Sequence, residues 1–320
     1  MPLDPIHTIR AAKRIHLKDG CFVSLAPLGV HRGHLRAVQG RIAWTGPASA
    51  VERGEEVLEV WGKLVVPGLA LAGVDPIAMA LRAVHPGRRS TARVALEQAD
   101  ADVHKTIATQ AFVECASAGV LHPIVDLRGA RAARVRAVVE ACAEVGLRGG
   151  IEWDPSADDP DAAALVRELA EHPLARIVKS PASQITLAEV ARGNVAAPGA
   201  ALSARGAAPD GWALLRALEA REPGLGLRCL ASTFEPLAAA FRAPFGAFAR
   251  GSWFDVAFLD YEVPAELTAE NLPAFLLEAF GAWSLEAAAV GGQPVVKRHE
   301  VLGADREAIA RDVARIVASL

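Results

Sequence analysis

Apolar and polar positions follow two different periods along the chain. Between residues 34 and 66, short β-rich runs alternate around turn signals such as Gln39-Gly40, which predicts strands. From residue 100 to residue 179, Ala-rich segments with helical spacing alternate with short apolar runs. Strands that alternate with helices in this way predict a parallel sheet with right-handed crossover connections.

The elements of this middle region can be bounded approximately from the pattern. We predict helices over 100–118, 130–145 and 161–171, strands over 123–127 and 175–179, a strand that follows Gly146 and ends at Trp153, and two weaker strands near 193–197 and 226–230.

Strand patterns return after residue 240. They cover 247–260 and 287–299, and an amphipathic helix is predicted over 305–320. The order of β, then α/β, then β structure predicts one domain inserted into another. The halves of the outer domain then come from the two ends of the chain.

Composition narrows the function classes. Charged residues make up 22% of the 320 residues and hydrophobic residues 52%, which excludes a disordered chain. The formal net charge of −3 gives no electrostatic reason to expect nucleic acid or an anionic membrane as partner. We expect neither a signal peptide nor a transmembrane helix, because Pro, Gly or a charge interrupts every long apolar run. The four cysteines form no C-x-x-C pair, so we expect reduced thiols in a cytoplasmic protein.

Several phrases of the sequence occur in an order typical of one enzyme superfamily. Residues 62–76, GKLVVPGLALAGVDP, resemble the entry into a first barrel strand, G-x-x-V-x-P-G-L-x-x-x-H-x-H. Further similar phrases are VQGRIAWTGP at 38–47, GVLHPIVD at 119–126, the segment 251–277 that begins GSWFDVAFLDY, and AAAVGGQPVVKRHEVL at 287–302. Together they resemble the amidohydrolase superfamily. The match is to its chlorohydrolase and deaminase branch, and most closely to the aminohydrolases named for selenium metabolism.

The resemblance implies an α/β fold with a TIM-type (β/α) barrel inserted in a small urease-like composite β-sandwich. The sandwich would comprise residues 1–66 and 242–304, the barrel residues 67–241, and a C-terminal helix residues 305–320. Only about 175 residues are available for the barrel, whereas a complete barrel needs at least about 200. We therefore predict a shortened or incomplete barrel.

The departures from the family pattern concern its metal site. In active members, two histidines after the first barrel strand bind zinc or iron, and Gly73 and Asp75 stand at those positions here. Pro181 stands where a further histidine binds the metal, in a looser alignment. The nearest match to the late aspartate of the family is Asp210, in different surroundings.

A catalytic zinc or iron site needs about three His or carboxylate ligands and an open position for water. None of the nine histidines forms an H-x-H pair or follows a predicted barrel strand. We therefore predict no metal cofactor and the loss of hydrolysis, with a role as a binding or partner subunit. The alternative is an active hydrolase of carbon–nitrogen (non-peptide) or carbon–chlorine bonds, with a site rearranged around Asp75.

Charged residues follow the predicted strands at their carboxyl ends, where barrel sites lie. They are Asp75, Asp126, Arg128, Glu152, Asp154 and Lys179. Two interpretations stay open: a pocket for a small polar ligand, or an internal ion-pair network. An incomplete barrel also leaves an open sheet edge, so we expect a second copy of the chain or an active relative as partner.

Other patterns favour structural roles. His31 and His34 are expected in an exposed loop, and His122 at the amino end of a strand, away from any chemistry. The acidic run 158–161 is typical of helix capping. The aromatic stretch 234–258 favours core between the two domains, with a partner-binding surface as the alternative.

Overall fold

The computed structural model describes residues 14–179, 181, 183–194, 200–204, 209–260, 266–268, 270–278, 281 and 284–320. The strands are β1 (Arg14–Leu25), β2 (Leu28–Val38), β3 (Arg41–Gly46), β4 (Glu56–Glu59), β5 (Leu64–Pro67), β6 (Leu69–Val74), β7 (Val120–Asp126), β8 (Gly149–Glu152), β9 (Ala175–Ile177), β10 (Ser183–Thr186), β11 (Ala200–Ser203), β12 (Val256–Leu259), β13 (Leu285–Val290), β14 (Gln293–Lys297) and β15 (Glu300–Val301). The helices are α1 (Pro76–Ala80), α2 (Arg89–Glu97), α3 (Ala101–Ser117), α4 (Ala132–Val145), α5 (Ala162–Glu171), α6 (Leu187–Ala191), α7 (Gly211–Glu219), α8 (Leu225–Phe241), α9 (Leu272–Glu278) and α10 (Arg306–Ala318).

A mixed sheet of nine strands joins the two ends of the chain. Its order is β15-β14-β13-β12-β5-β1-β2-β3, with β4 beside β1. The join is made where β5 pairs antiparallel with β12, for example Val65 with Phe258. The turn between β2 and β3 uses Gln39 (φ 50°) and Gly40 (φ 73°), a conformation that matches the twist of a hairpin.

A second sheet of six strands is parallel throughout. Its order is β10-β11-β6-β7-β8-β9. Every pair of neighbouring strands is consecutive in the chain except β11 and β6. Every residue of β6, β8 and β11 is buried, as expected when both faces of a sheet are covered. The prediction of a parallel sheet with crossover helices is confirmed. No pairing is found between β9 and β10 within the described residues, and the shortened or incomplete barrel stays a prediction.

The two sheets share one hydrophobic core, and a buried polar cluster lies between them. Arg148 precedes β8, and its Nε donates to Asp255 Oδ2 at 2.6 Å. The Arg148 guanidinium carbon lies 3.6 Å from the centroid of the Trp253 ring. The guanidinium carbon of Arg41 lies 3.7 Å from the same centroid. His122, in β7, has its Nε2 3.9 Å from Asp255 Oδ2. We call Arg148, Asp255, His122 and Trp253 the amino-end cluster, because it lies at the amino ends of β7 and β8.

Several expectations from the sequence were wrong. Residues 226–230 are helical and belong to α8, because Leu227, Leu230 and Phe234 pack into the core at helical spacing. The weak strand near 193–197 lies largely outside the described residues, and β11 follows at 200–203.

His31 and His34 lie in strand β2 and not in an exposed loop. His34 is buried, and its Nδ1 lies 3.1 Å from Nε2 of His16 in the neighbouring strand β1. His16 Nδ1 lies 3.2 Å from Glu55 Oε2. Burial lowers the pKa of His16. The pair of His16 and His34 was not predicted, because no strand was predicted over β1.

Other expectations hold. The six phenylalanines of the aromatic stretch, Phe234, Phe241, Phe245, Phe248, Phe254 and Phe258, are buried. This confirms the core interpretation. The predicted C-terminal helix is α10. The exact domain boundaries stay a prediction. None of the helices described here has the length and apolar character needed to cross a bilayer.

Candidate functional site

The carboxyl ends of the six parallel strands define the edge of the sheet at which sites are found in such folds. Strand β6 leads into Asp75, β7 ends at Asp126 and β8 ends at Glu152. On the other side of β6, β11 ends at Ser203, and Gln184 lies within β10. The six predicted residues lie at or just after the carboxyl ends of these strands, and their role in a site stays a prediction.

Asp75 uses its carboxylate to begin a helix. Its Oδ1 accepts a hydrogen bond from Ala78 N at 3.1 Å, which caps α1, with Pro76 at the first helical position. Its Oδ2 lies 2.8 Å from Arg93 Nη2, and Arg93 Nε also donates to Glu97 at 2.8 Å. Both oxygens of Asp75 are thus engaged by the protein itself.

The other positions that replace family metal ligands offer no donor atom. Gly73 has no side chain and a φ of 62°, in the left-handed region that favours glycine. Pro181 has an apolar side chain. Asp210 caps α7 by accepting from Ala213 N at 2.8 Å, so it acts as a helix cap.

Asp126 and Arg128 form a two-point ion pair within the loop after β7. Arg128 Nε donates to Asp126 Oδ1 at 2.9 Å and Nη2 to Oδ2 at 2.6 Å. The hydrogen bonds to Asp126 raise the pKa of Arg128. Arg128 Nε also lies 3.9 Å from Oε2 of Glu152, which is 1% exposed at its side chain.

A polar chain continues from Glu152 across the sheet. Gln184 Nε2 donates to Glu152 Oε1 at 3.5 Å, and Ser203 Oγ donates to Gln184 Oε1 at 2.9 Å. We call Asp126, Arg128, Glu152, Gln184 and Ser203 the carboxyl-end network. It supports the ion-pair interpretation of this edge over an open charged pocket.

Sequence reasoning missed Gln184 and Ser203 because it placed no strand at β10 or β11. One signal was available. Thr186 and Glu189 form a capping box at the start of α6: Thr186 Oγ1 accepts from Glu189 N at 3.2 Å, and the Glu189 carboxylate accepts from Thr186 N at 2.8 Å. The T-x-x-E spacing marks the junction between β10 and α6.

The remaining predicted residues lie at the rim. Asp154 is exposed and lines a cavity of about 360 Å³ with residues 129–131, Ser156 and residues 158–160. Lys179 is exposed, with no hydrogen bond or ion pair to the carboxyl-end network in the described residues. Of the six candidates, the structure brings together Asp126, Arg128 and Glu152.

These residues do not fit a catalytic zinc or iron ion. Within the ranges the structure describes, no group of three or more His, Cys, Asp or Glu side chains is arranged to hold a metal. The Asp75 carboxylate binds Arg93 and caps α1. Gly73 and Pro181 have no side-chain atom that could bind a metal. We therefore derive no chemical step through a metal at this edge.

Solved structures resemble this chain over nearly its whole length. A variant of triazine hydrolase has a TM-score of 0.68 at 13% sequence identity, covering 95% of this chain and 99% of the other. A zinc-bound adenosine deaminase from Xanthomonas campestris has a TM-score of 0.67 at 13% identity, covering 96% and 99%.

The zinc complex of atrazine chlorohydrolase from Arthrobacter aurescens has a TM-score of 0.64 at 13% identity, covering 95% and 100%. The chain has an amidohydrolase fold. The resemblance seen in the sequence is confirmed at that level. No protein-family model matches the sequence, and no curated protein matches it.

Proposed function

We propose that this protein has lost metal-dependent hydrolysis and acts by binding, as a partner of an active relative or of a second copy of itself. The observation that carries the proposal is the state of Asp75. Its two carboxylate oxygens are held by Ala78 N and by Arg93, and its neighbour in the family pattern, Gly73, has no side chain. A metal at this position would have to compete with Ala78 N or Arg93 for a carboxylate oxygen that the protein already uses.

The carboxyl-end network supports the same conclusion. A catalytic water needs open ligand positions, whereas Asp126 is occupied by Arg128 and Glu152 by Gln184. The network holds the loops in place: one arginine lies against two carboxylates, and the Glu152 side chain is 1% exposed, so it does not face solvent.

The partner role is supported by the strand order of the parallel sheet. We propose a barrel shortened relative to the eight strands of a complete one, with β9 and β10 as edges that another chain would cover. A cytoplasmic location fits the four cysteines, which are all free and buried.

An active hydrolase is the second candidate. It is favoured by the structural neighbours, which include a triazine hydrolase and an adenosine deaminase, and by the buried carboxylate Glu152 at the edge where this fold carries its chemistry. The fold supports this candidate as much as the first.

Metal content and turnover separate the two candidates. Protein purified without chelator is analysed by inductively coupled plasma mass spectrometry and assayed with atrazine and adenosine, with and without added zinc or iron. We expect less than one metal ion per chain and no turnover above the protein-free blank. One firmly held ion per chain, or turnover that Glu152→Gln abolishes and Asp154→Asn leaves intact, establishes the hydrolase instead.

A further inference from the structure

A cavity of about 600 Å³ lies beside the carboxyl-end network. It opens between the turn that joins α2 to α3 and the loop that joins β7 to α4. Its lining comprises residues 97–101, His104, residues 128–131, Ala133 and Arg134. The volume falls in the range of sites that enclose small organic ligands.

Arg134 is the unusual residue of this cavity. It is half-buried, and loss of solvent lowers its pKa. Its guanidinium has no hydrogen bond or ion pair in the described part of the chain, although it carries five N–H donors. A charged group in this position is costly unless something pairs with it.

The carboxylates around Arg134 have other partners. Asp75 and Glu97 raise its pKa by their charge. However, both form their hydrogen-bonded pairs with Arg93. Asp126 is bound by both arms of Arg128. The three carboxylates therefore attract the Arg134 guanidinium from a distance, and none of them accepts a hydrogen bond from it.

Arg131 provides a second unpaired cation. It occupies the N-cap position of α4 without a side-chain capping bond, and its guanidinium has no hydrogen bond to a described residue. The cavity is lined by three arginines, Arg128, Arg131 and Arg134, and by two carboxylates, Glu97 and Asp100. The formal net charge of these five side chains is +1. Asp100 is engaged as the cap of α3, accepting from Val103 N at 2.9 Å.

His104 completes the wall of the cavity. Its side chain is buried; burial, and then the charge of Arg134, lowers its pKa. At neutral pH the imidazole is uncharged, so the positive charge of the cavity is concentrated on the arginines.

We propose that this cavity binds an organic oxyanion, a carboxylate or a phosphate ester, through Arg131 and Arg134. A guanidinium fork matches the planar or tetrahedral oxygens of these groups with two parallel hydrogen bonds. Glu97 and Asp100 also line the cavity, and their charge disfavours a highly charged polyanion. The inference goes beyond the proposed function, because it holds for a binding protein and for an enzyme alike.

The test is a calorimetric titration of the full chain with inorganic phosphate, succinate and chloride at equal ionic strength. We expect binding of phosphate or succinate and none of chloride. Arg134→Gln and Arg131→Gln each weaken binding about tenfold or more, the loss typical of a charge-assisted hydrogen bond. The matched control is Arg136→Gln on the same helix, whose guanidinium binds Glu168 at 2.7 Å outside the cavity lining; it leaves the affinity unchanged.

A second measurement separates binding from a structural role. Without ligand, Arg134→Gln has the same melting temperature as the unmodified protein or a higher one, because it removes an unpaired, desolvated charge. Binding of phosphate alone or of succinate alone supports the proposal and identifies the head group. Absence of binding by both anions, or equal affinity in Arg134→Gln and Arg136→Gln, overturns it. None of these readouts depends on metal content or turnover, so this proposal and the proposed function fail independently.

Discussion

The parallel sheet carries a polar cluster at each end, and the two are built differently. In the amino-end cluster, Arg148 and Asp255 are each 2% exposed at their side chains and lie 2.6 Å apart. Asp255 also accepts from Gly291 N at 2.6 Å. In the carboxyl-end network, Arg128 is 44% exposed, and its distance to Glu152 is 3.9 Å.

The difference shows which end of the sheet holds the two sheets together. The amino-end cluster connects a residue before β8 of the parallel sheet with a residue before β12 of the nine-stranded sheet, away from water. The carboxyl-end network connects neighbouring loops of one sheet next to solvent and beside a cavity. The first arrangement contributes stability, whereas the second leaves room for a ligand.

The largest expected effect follows from breaking the buried pair. Arg148→Met leaves the Asp255 carboxylate buried without its cation, so we expect a loss of about 3–5 kcal/mol in the free energy of unfolding. Urea denaturation followed by circular dichroism measures it. Arg228→Met, which breaks an exposed pair with Glu222, is the control and is expected to change stability by under about 1 kcal/mol. Equal losses in both variants would contradict a stabilising role of the amino-end cluster.

A pH dependence is expected from His122. Burial lowers its pKa from 6.5 to about 4, so the unfolded chain binds a proton between these values that the folded chain does not. Stability therefore falls as pH decreases from about 6.5 to about 4, by up to roughly 3 kcal/mol. Urea midpoints measured across this range test it.

His122→Gln provides the comparison for this titration. The amide does not ionise, so the variant should lose this part of the pH dependence. If its stability falls as steeply with decreasing pH as that of the unmodified protein, another group is responsible for the titration.

A smaller effect is expected at Asp75. Asp75→Ala removes the cap of α1 and the partner of Arg93, for a loss of about 1 kcal/mol. Asp75→Asn keeps an oxygen that can accept from Ala78 N, so it should lose less than Asp75→Ala in the same denaturation experiment. An equal loss in the two variants would mean that the capping bond contributes nothing.

The smallest effect is expected at the carboxyl end. Arg128→Met breaks an ion pair near solvent, so unfolding should change by less than about 1 kcal/mol. The matched measurement is Arg148→Met under identical conditions. A loss at Arg128 comparable to that at Arg148 would remove the contrast between the two ends of the sheet.

Strong local periodicity made part of this fold predictable. The Ala-rich helices α3 and α4 and the buried strand β7 follow from spacing and from glycines such as Gly146, which ends α4 in a left-handed conformation. Because parallel strands end at one edge, their order was enough to bring Asp126 and Glu152 together.

Long-range pairing and short strands set the limit of that reasoning. Strands β10 and β11 each contain one large apolar residue, Ile185 and Leu202, so no apolar run indicated a strand, and Gln184 and Ser203 were missed. Asp75 was correctly placed after β6, but its pairing with Arg93 depends on how α2 folds back, which no local pattern encodes. The unpaired state of Arg134 depends on the partners of three separate carboxylates and is visible only in the folded chain.

The pairing of β5 with β12 has a consequence for how the chain folds. These strands are separated by roughly 190 residues, and contacts of such long range form slowly because loop closure precedes any gain. During synthesis, all six strands of the parallel sheet leave the ribosome before β12 does. Until β12 pairs with β5, the edge of β5 that β12 will occupy is open in a nascent chain, and unpaired strand edges favour aggregation.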